Sequence, residues 1–247
     1  MNNIFDLSGK TILITGASSG IGREIAVSAS KQGAKTVING RNIERLNDTK
    51  EMAGGDVTIL QGDLTDGAEI TSLVKQLPEL DGVVFCAGLV EYTPLKFVNA
   101  EKIRTIFSLN FDSQVLLTQQ IIKNKKIRKG GSLVYISSIS SKMGVPATAV
   151  YASSKAAINS FMKIVASEVG GQKIRANSVC PGMVRTPMLT NATNAVTEES
   201  LIEAEKDYLL GLGEPADVAG PVLFLLSDAS KWVTGTEMIV DGGLTLK

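Results

Sequence analysis

Three observations predict an α/β fold in which a parallel sheet is covered by helices on both faces. Short, apolar, β-branched runs of the kind that form buried strands recur from Thr11 to Val240. Each is followed by a longer stretch of helical character, and this strand–helix alternation calls for parallel pairing. No linker or composition break divides the 247 residues, which are read as one domain, 1–247.

Composition narrows the chemistry before any motif does. Hydrophobic content of 44% with only 5% aromatic residues suits an aliphatic core. Twenty-five basic and 25 acidic residues cancel, which gives no electrostatic case for nucleic acid or an anionic membrane surface. No apolar run approaches the ~20 residues of a membrane span, and Met1–Leu7 lacks the pattern of a signal peptide. Cys86 and Cys180 are too few for a disulfide framework and read as inert buried thiols in a reducing, cytoplasmic compartment. The chain has no histidine, so Ser-His and Cys-His nucleophiles and histidine zinc sites are excluded. Acid–base work falls to Tyr, Lys, Asp or Glu.

The first strand, Thr11–Thr15, runs into Gly16-Ala-Ser-Ser-Gly20-Ile-Gly22 and a helix over Arg23–Lys31. Strand, glycine turn and helix are the setting of a dinucleotide-binding turn, here spaced G-x-x-x-G-x-G. Glycines let the backbone approach a pyrophosphate, whose charge the helix N-terminus favours. The second strand, Thr36–Asn39, ends at Gly40-Arg41-Asn42, with no acid between Thr36 and Ile43. Where an acid would bond a ribose 2′-hydroxyl, an arginine suits a 2′-phosphate, so Arg41 points to NADP(H) rather than NAD(H). A helix from about Ile43 to Met52 leads to a third strand, Val57–Gln61, then Gly62-Asp63-Leu64. Asp63 can touch an adenine edge or cap the next helix.

A helix from about Ala68 to Lys75 precedes the fourth strand, Gly82–Cys86, and Ala87-Gly88 supplies small residues where backbone passes a cofactor. Asn99–Asn124 reads as one long helix with Asn110 held between Leu109 and Phe111. The fifth strand, Gly131–Ser137, ends in a serine-rich turn containing Ser138. A helix follows to about Val169, and it carries Tyr151 and Lys155 one turn apart on the same face. An ordinary amphipathic helix can carry the same pair. As a working pair, the lysine would favour the phenolate of a residue that otherwise ionises near pH ~10. Lys173–Cys180 is the sixth strand, closed by Pro181-Gly182. Met183–Thr197 reads as a loop over a site, Glu198–Leu210 and Glu214–Leu226 as helices, and Thr236–Val240 as the last strand.

In this order, Gly16–Gly22, Asn110, Ser138, Tyr151-x-x-x-Lys155 and Pro181-Gly182 strongly resemble the short-chain dehydrogenase/reductase family in its compact form. The resemblance runs from Gly9 to Gly243, and the thirteen-residue separation of Ser138 and Tyr151 is its most specific feature. It implies a Rossmann-type, doubly wound, seven-stranded sheet, a nicotinamide cofactor and interconversion of a carbonyl and an alcohol. It assigns proton exchange to Tyr151, a hydrogen bond to the substrate oxygen to Ser138, and lowering of the Tyr pKa plus ribose binding to Lys155. Asn110 would hold a water linking Lys155 to solvent. The cofactor set it implies is Gly16, Ser18, Ser19, Gly20, Ile21, Gly22, Arg41, Asp63, Leu64, Ala87, Gly88, Pro181, Gly182, Val184 and Thr186, with Tyr151 and Lys155. A substrate loop and short helix would occupy about 183–210.

One departure stands out. The family's Asn-Asn-Ala-Gly after the fourth strand is Phe85-Cys-Ala-Gly88 here, which places local stability rather than catalysis in question. Gly213-Glu-Pro-Ala-Asp-Val-Ala219, with Thr234-Gly235 and Asp241-Gly-Gly243, resembles 3-oxoacyl-[acyl-carrier-protein] reductases, but sugar, polyol and steroid members share the same residues. A carrier-protein partner would favour basic residues at the site entrance. Lys123, Lys125, Lys126, Arg128 and Lys129 form such a cluster, which a solvated helix end explains equally. A nucleotide-binding regulator without chemistry would need no Tyr/Lys pair, and an extended-family epimerase would need a further substrate domain. The family also implies a homotetramer contacting through the last strand and the long helices.

Overall fold

A computed structural model describes residues 4–191 and 198–246. Seven strands, β1 (Thr11–Ile14), β2 (Lys35–Gly40), β3 (Val57–Gln61), β4 (Leu80–Phe85), β5 (Ile127–Ile136), β6 (Arg175–Pro181) and β7 (Glu237–Val240), form one sheet in the order β3-β2-β1-β4-β5-β6-β7. Every pairing is parallel. The helices are α1 (Gly20–Lys31), α2 (Ile43–Ala53), α3 (Gly67–Gln76), α4 (Ala100–Phe107), α5 (Ser113–Lys123), α6 (Ala149–Val169), α7 (Pro187–Asn191), α8 (Glu198–Glu205) and α9 (Pro215–Leu226).

Side-chain alternation explains why the strands read as unbroken apolar runs. Ile12, Ile14, Ile38 and Val134 pack with residues of α1, α2 and α9 on one face. Leu13, Val37, Leu133 and Tyr135 pack with residues of α3, α5 and α6 on the other. With helices on both sides neither face reaches water, so no polar alternation is required. The strand order reverses between β1 and β4, and a doubly wound sheet opens its crevice there, at the carboxyl ends of the strands.

Beyond shifts of two or three residues at the ends of α1, β4 and β6, four features differ from the sequence reading. The expected helix over Asn99–Asn124 is split, because Ser108–Asp112 forms a π turn between α4 and α5. The extra residue in that turn turns Asn110 inward, where it is fully buried. β5 begins at Ile127 rather than Gly131, with Gly130 at φ +83 and a register shift between Leu80 and Gly82. Arg128 secures this early start by pairing with Asp81 at 2.9 Å. The helix expected over Glu198–Leu210 stops at Glu205, whose carboxylate turns to Arg185 instead. The loop expected over Met183–Thr197 contains the short helix α7, and its residues 192–197 lie outside those described.

Candidate active site

The glycine turn is shaped by close approach. A Cβ on Gly22 would lie 2.3 Å from the Gly16 carbonyl oxygen, and one on Gly16 would lie 2.8 Å from the Ala87 backbone. Gly16 and Gly20 adopt φ +67 and +55, which side chains rarely tolerate. Asn42, Asp66 and Asn99 cap α2, α3 and α4 with their side chains. Ser19, by contrast, makes no side-chain cap on α1, and no acid stands in that first turn. The N–H groups of α1 therefore face the cleft as donors suited to a phosphate. Arg23 braces the turn from behind, donating to the Ser18 carbonyl at 2.6 Å and to Thr49 Oγ1 at 3.0 Å.

At the neighbouring strand ends, the Thr15 hydroxyl accepts from the backbone N–H of Cys86 at 3.0 Å and of Ala87 at 3.2 Å. These bonds tie β1 to the segment after β4, where the family's second Asn is Cys86. Burial pushes the Cys86 thiol up to about 12, in keeping with an unreactive thiol, although Lys155 opposes that shift. Gly88 passes between Asn110 and Lys155; a Cβ there would lie 3.2 Å from Asn110 Oδ1 and 3.4 Å from Lys155 Nζ.

Tyr151 and Lys155 stand on the first turns of α6, opposite the serine turn that ends β5. Lys155 is buried and donates to the Ile136 carbonyl at 2.8 Å, with its ammonium 5.8 Å from the Tyr151 ring centre. Ser138 faces the Tyr151 hydroxyl, and its hydrogen bond opposes the rise that burial imposes on the phenol. Ser138 Oγ accepts from the Ser140 N–H at 3.1 Å, so its own proton is available to donate. The turn is pinned in sequence: Ser141 Oγ donates to the Ser138 carbonyl at 2.6 Å, and Asn159 of α6 donates to Ser141 Oγ at 2.9 Å.

The resemblance implies that Lys155 lowers the Tyr151 pKa, but here burial outweighs every opposing influence and pushes the phenol up to about 12. Burial also lowers Lys155 to about 8. Tyr151 keeps part of its surface open to the cleft and holds its proton there.

All the expected site residues except Asn110 line one cleft of about 780 Å³. Gly16, Ser18, Ser19, Gly20, Ile21 and Gly22 form its floor, and Arg41, Asp63 and Leu64 one end. Ala87, Gly88, Ser138, Tyr151 and Lys155 form the middle, and Pro181, Gly182, Val184 and Thr186 close over them. Asn110 lies behind the wall. It accepts from the Leu89 N–H at 2.8 Å and donates to the Leu89 carbonyl at 2.9 Å and to Ser154 Oγ at 3.1 Å. Ser154 in turn donates to the Tyr151 carbonyl, so Asn110 clamps the segment after β4 to the Tyr/Lys helix.

Arg41 is largely exposed and stands 3.7 Å from Asp63, whose carboxyl is held below its usual range chiefly by the Thr65 backbone N–H, with Arg41 adding to the effect. Arg45, one turn along, also lines this end. The sequence reading passed over Arg45, whose spacing from Arg41 across the Asn42 cap is a signal that could have found it. Tyr92 and Tyr208 line the other end, and no local pattern marks either of them in the sequence. The basic cluster is at the wrong end for a carrier protein at the cleft mouth. Lys126 and Arg128 sit at the amino end of β5, bonded to Leu77, Glu79 and Asp81, while the cleft opens at the carboxyl ends.

The matched family model is described as enoyl-(acyl carrier protein) reductase and covers residues 16–245. The chain belongs to the short-chain dehydrogenase/reductase family. It is 35% identical to versicolorin reductase of Emericella nidulans, with 97% of each chain covered. It is 33% identical to the 3-oxoacyl-[acyl-carrier-protein] reductase of Rickettsia felis, over 98% of this chain and 100% of the relative. A short-chain type dehydrogenase/reductase from Mycobacterium marinum superposes with TM-score 0.91 at 29% identity, covering 99% of this chain and 98% of that one. A candidate NAD(P)-dependent gluconate 5-dehydrogenase from Beutenbergia cavernae, with NADP bound at low occupancy, matches with TM-score 0.91 at 30% identity, covering 99% and 100%. The chain is thus an oxidoreductase of a family that binds NAD(P).

Proposed function

We propose that this oxidoreductase uses NADP(H) to reduce a ketone to a secondary alcohol, with Tyr151 as the proton donor. The observation that carries the reading is the convergence of Ser138, Tyr151 and Lys155 on one wall of the cleft whose floor is the Gly16–Gly22 turn. A bound nicotinamide nucleotide would supply the hydride, and the protein would orient it and handle the proton. The glycine turn and the open α1 N-terminus would hold the pyrophosphate, Arg41 and Arg45 the 2′-phosphate, and Thr186 and Val184 the nicotinamide end. Lys155 would also reach the nicotinamide ribose.

Ser138 and Tyr151 would donate to the carbonyl oxygen, and these bonds strengthen as negative charge grows there, which selectively stabilises the transition state. Tyr151 would then pass its proton to the forming alkoxide. The Lys155 cation would offset the charge left on the phenol oxygen. One lone pair of Asn110 Oδ1 remains for the water that would return a proton to Lys155 from solvent. Residues 183–210 would form the substrate side. A 3-oxoacyl thioester and a keto-sugar are both within this reading, since relatives of both kinds match; the position of the basic cluster gives a carrier protein no support. A cytoplasmic homotetramer is the assembly and location we infer.

Tyr151→Phe tests the reading. Turnover should fall by about 10²–10⁴-fold, the contribution of a positioned acid, while NADPH binding, followed by nucleotide fluorescence, stays intact. Equal turnover in the two proteins would remove Tyr151 from the mechanism.

A further inference from the structure

We infer that the substrate arm of the cleft selects a neutral, mainly apolar ketone carrying a hydroxyl, that Tyr92 reads this hydroxyl, and that keto acids are rejected. This rests on the carbonyl-reductase reading above and narrows its substrate class. Beyond Tyr151 the wall is built from Leu89 and Val90 after β4, Met143, Val145 and Pro146 after the serine turn, and Leu189 of α7.

Charge separates the two arms. Among the described residues, the basic ones lining the cleft are Arg41 and Arg45 at the nucleotide end and Lys155, which is bound to the Ile136 carbonyl. Near the substrate arm, Arg185 is held by both oxygens of Glu205, at 2.8 and 3.0 Å, and by Glu214 at 3.5 Å. Lys142 is paired with Glu237 at 2.6 Å. Asp207, an acid, lines this arm among the described residues. A carboxylate brought here would lose hydration without gaining a counter-cation, a combination that protein interiors strongly disfavour.

Two phenols supply the polarity. The Tyr208 hydroxyl accepts from the Met183 N–H at 3.0 Å and is committed to holding the loop after β6. Tyr92 lies within electrostatic reach of Tyr151 and Tyr208, and its hydroxyl bonds no described protein group. Half-buried phenol hydroxyls ordinarily find a partner. Tyr92 offers that position to a neutral oxygen of the substrate, within electrostatic reach of Tyr151 in the same cleft.

The test compares 1-tetralone, its ring-hydroxylated isomers and 5-keto-gluconate as oxidants of NADPH. Both neutral classes should exceed the keto acid in kcat/KM by at least about 100-fold. In Tyr92→Phe the ratio of kcat/KM for the best hydroxylated tetralone over plain tetralone should fall about tenfold, the loss of one hydrogen bond. Binding of the same ketones to the NADPH-loaded Tyr151→Phe protein, read by fluorescence quenching, should give the same order without turnover. Keto-gluconate reduced or bound as well as the tetralones overturns the inference, and so does an unmoved ratio in Tyr92→Phe. Failure of the reductase reading has a different signature: Tyr151→Phe would then turn over the tetralones as fast as the unaltered protein.

Discussion

At the residue scale, burial decides the protonation states on which the proposed chemistry depends. Tyr151, pushed up to about 12, keeps its proton through the neutral range and can serve as the acid of ketone reduction. Lys155, lowered to about 8, carries its charge below that pH and loses it above. Cys86, beside Lys155, stays a neutral thiol because burial raises it to about 12. The proposed reduction uses the ammonium form, so kcat/KM for a ketone should be level below pH about 8 and decline as pH rises beyond it, up to tenfold per unit. A profile with no break between pH 7 and 10 would contradict the Lys155 assignment. Arg41 carries a separate prediction. A charge-assisted hydrogen bond is worth about 1.5–3 kcal/mol, so Arg41→Ala should lower the kcat/KM ratio of NADPH over NADH by about tenfold or more, with Arg45 holding the remainder. A protein that prefers NADH before any substitution would show that the arginine is merely solvated. Arg41, Tyr151 and Lys155 were legible as residue types at meaningful spacings. Their pKa values were not, because burial is a property of the packed cleft.

At the scale of elements, the strand–helix alternation made the sheet readable, and what escaped were the points where tertiary bonds override local pattern. Residues 99–124 have uninterrupted helical character in the sequence, yet Asn110 forms three bonds to Leu89 and Ser154, and a π turn at Ser108–Asp112 accommodates them. No window of sequence contains both partners. The Cys86 departure raises a question of local stability, and Thr15 bears on it through another long-range contact. Thr15→Val keeps the shape and removes the acceptor from two backbone N–H groups, Cys86 and Ala87. Each such loss inside a protein costs about 1–3 kcal/mol, and the unfolding midpoint in urea should fall with an unchanged slope. An unaltered midpoint would mean that β1 and β4 are joined adequately by their ladder alone.

At the scale of the molecule, the remaining question is where its exposed apolar surface goes. β7 ends the strand order, and edge strands left open invite pairing with another chain. Beside it Trp232 is 96% exposed, and Ile239 and Leu246 are exposed as well. A second group, Leu95, Phe97, Ile103 and Leu116, lies on and before the two helices that flank the π turn. Exposed apolar groups of this kind, where they adjoin, mark association sites in soluble proteins, and two separate groups would allow two kinds of contact, as a closed tetramer with dihedral symmetry requires. Trp232 is the chain's single tryptophan and therefore reports on one of them without labelling. Assembly through β7 should give a sedimenting mass of four 26.1 kDa chains and a tryptophan emission characteristic of an apolar setting. Trp232→Glu should place a charge in that contact and reduce the assembly to dimers held by the helical patch, with the glycine turn and the Tyr/Lys helix intact. A monomer with water-exposed tryptophan emission would leave both patches without a partner of their own kind.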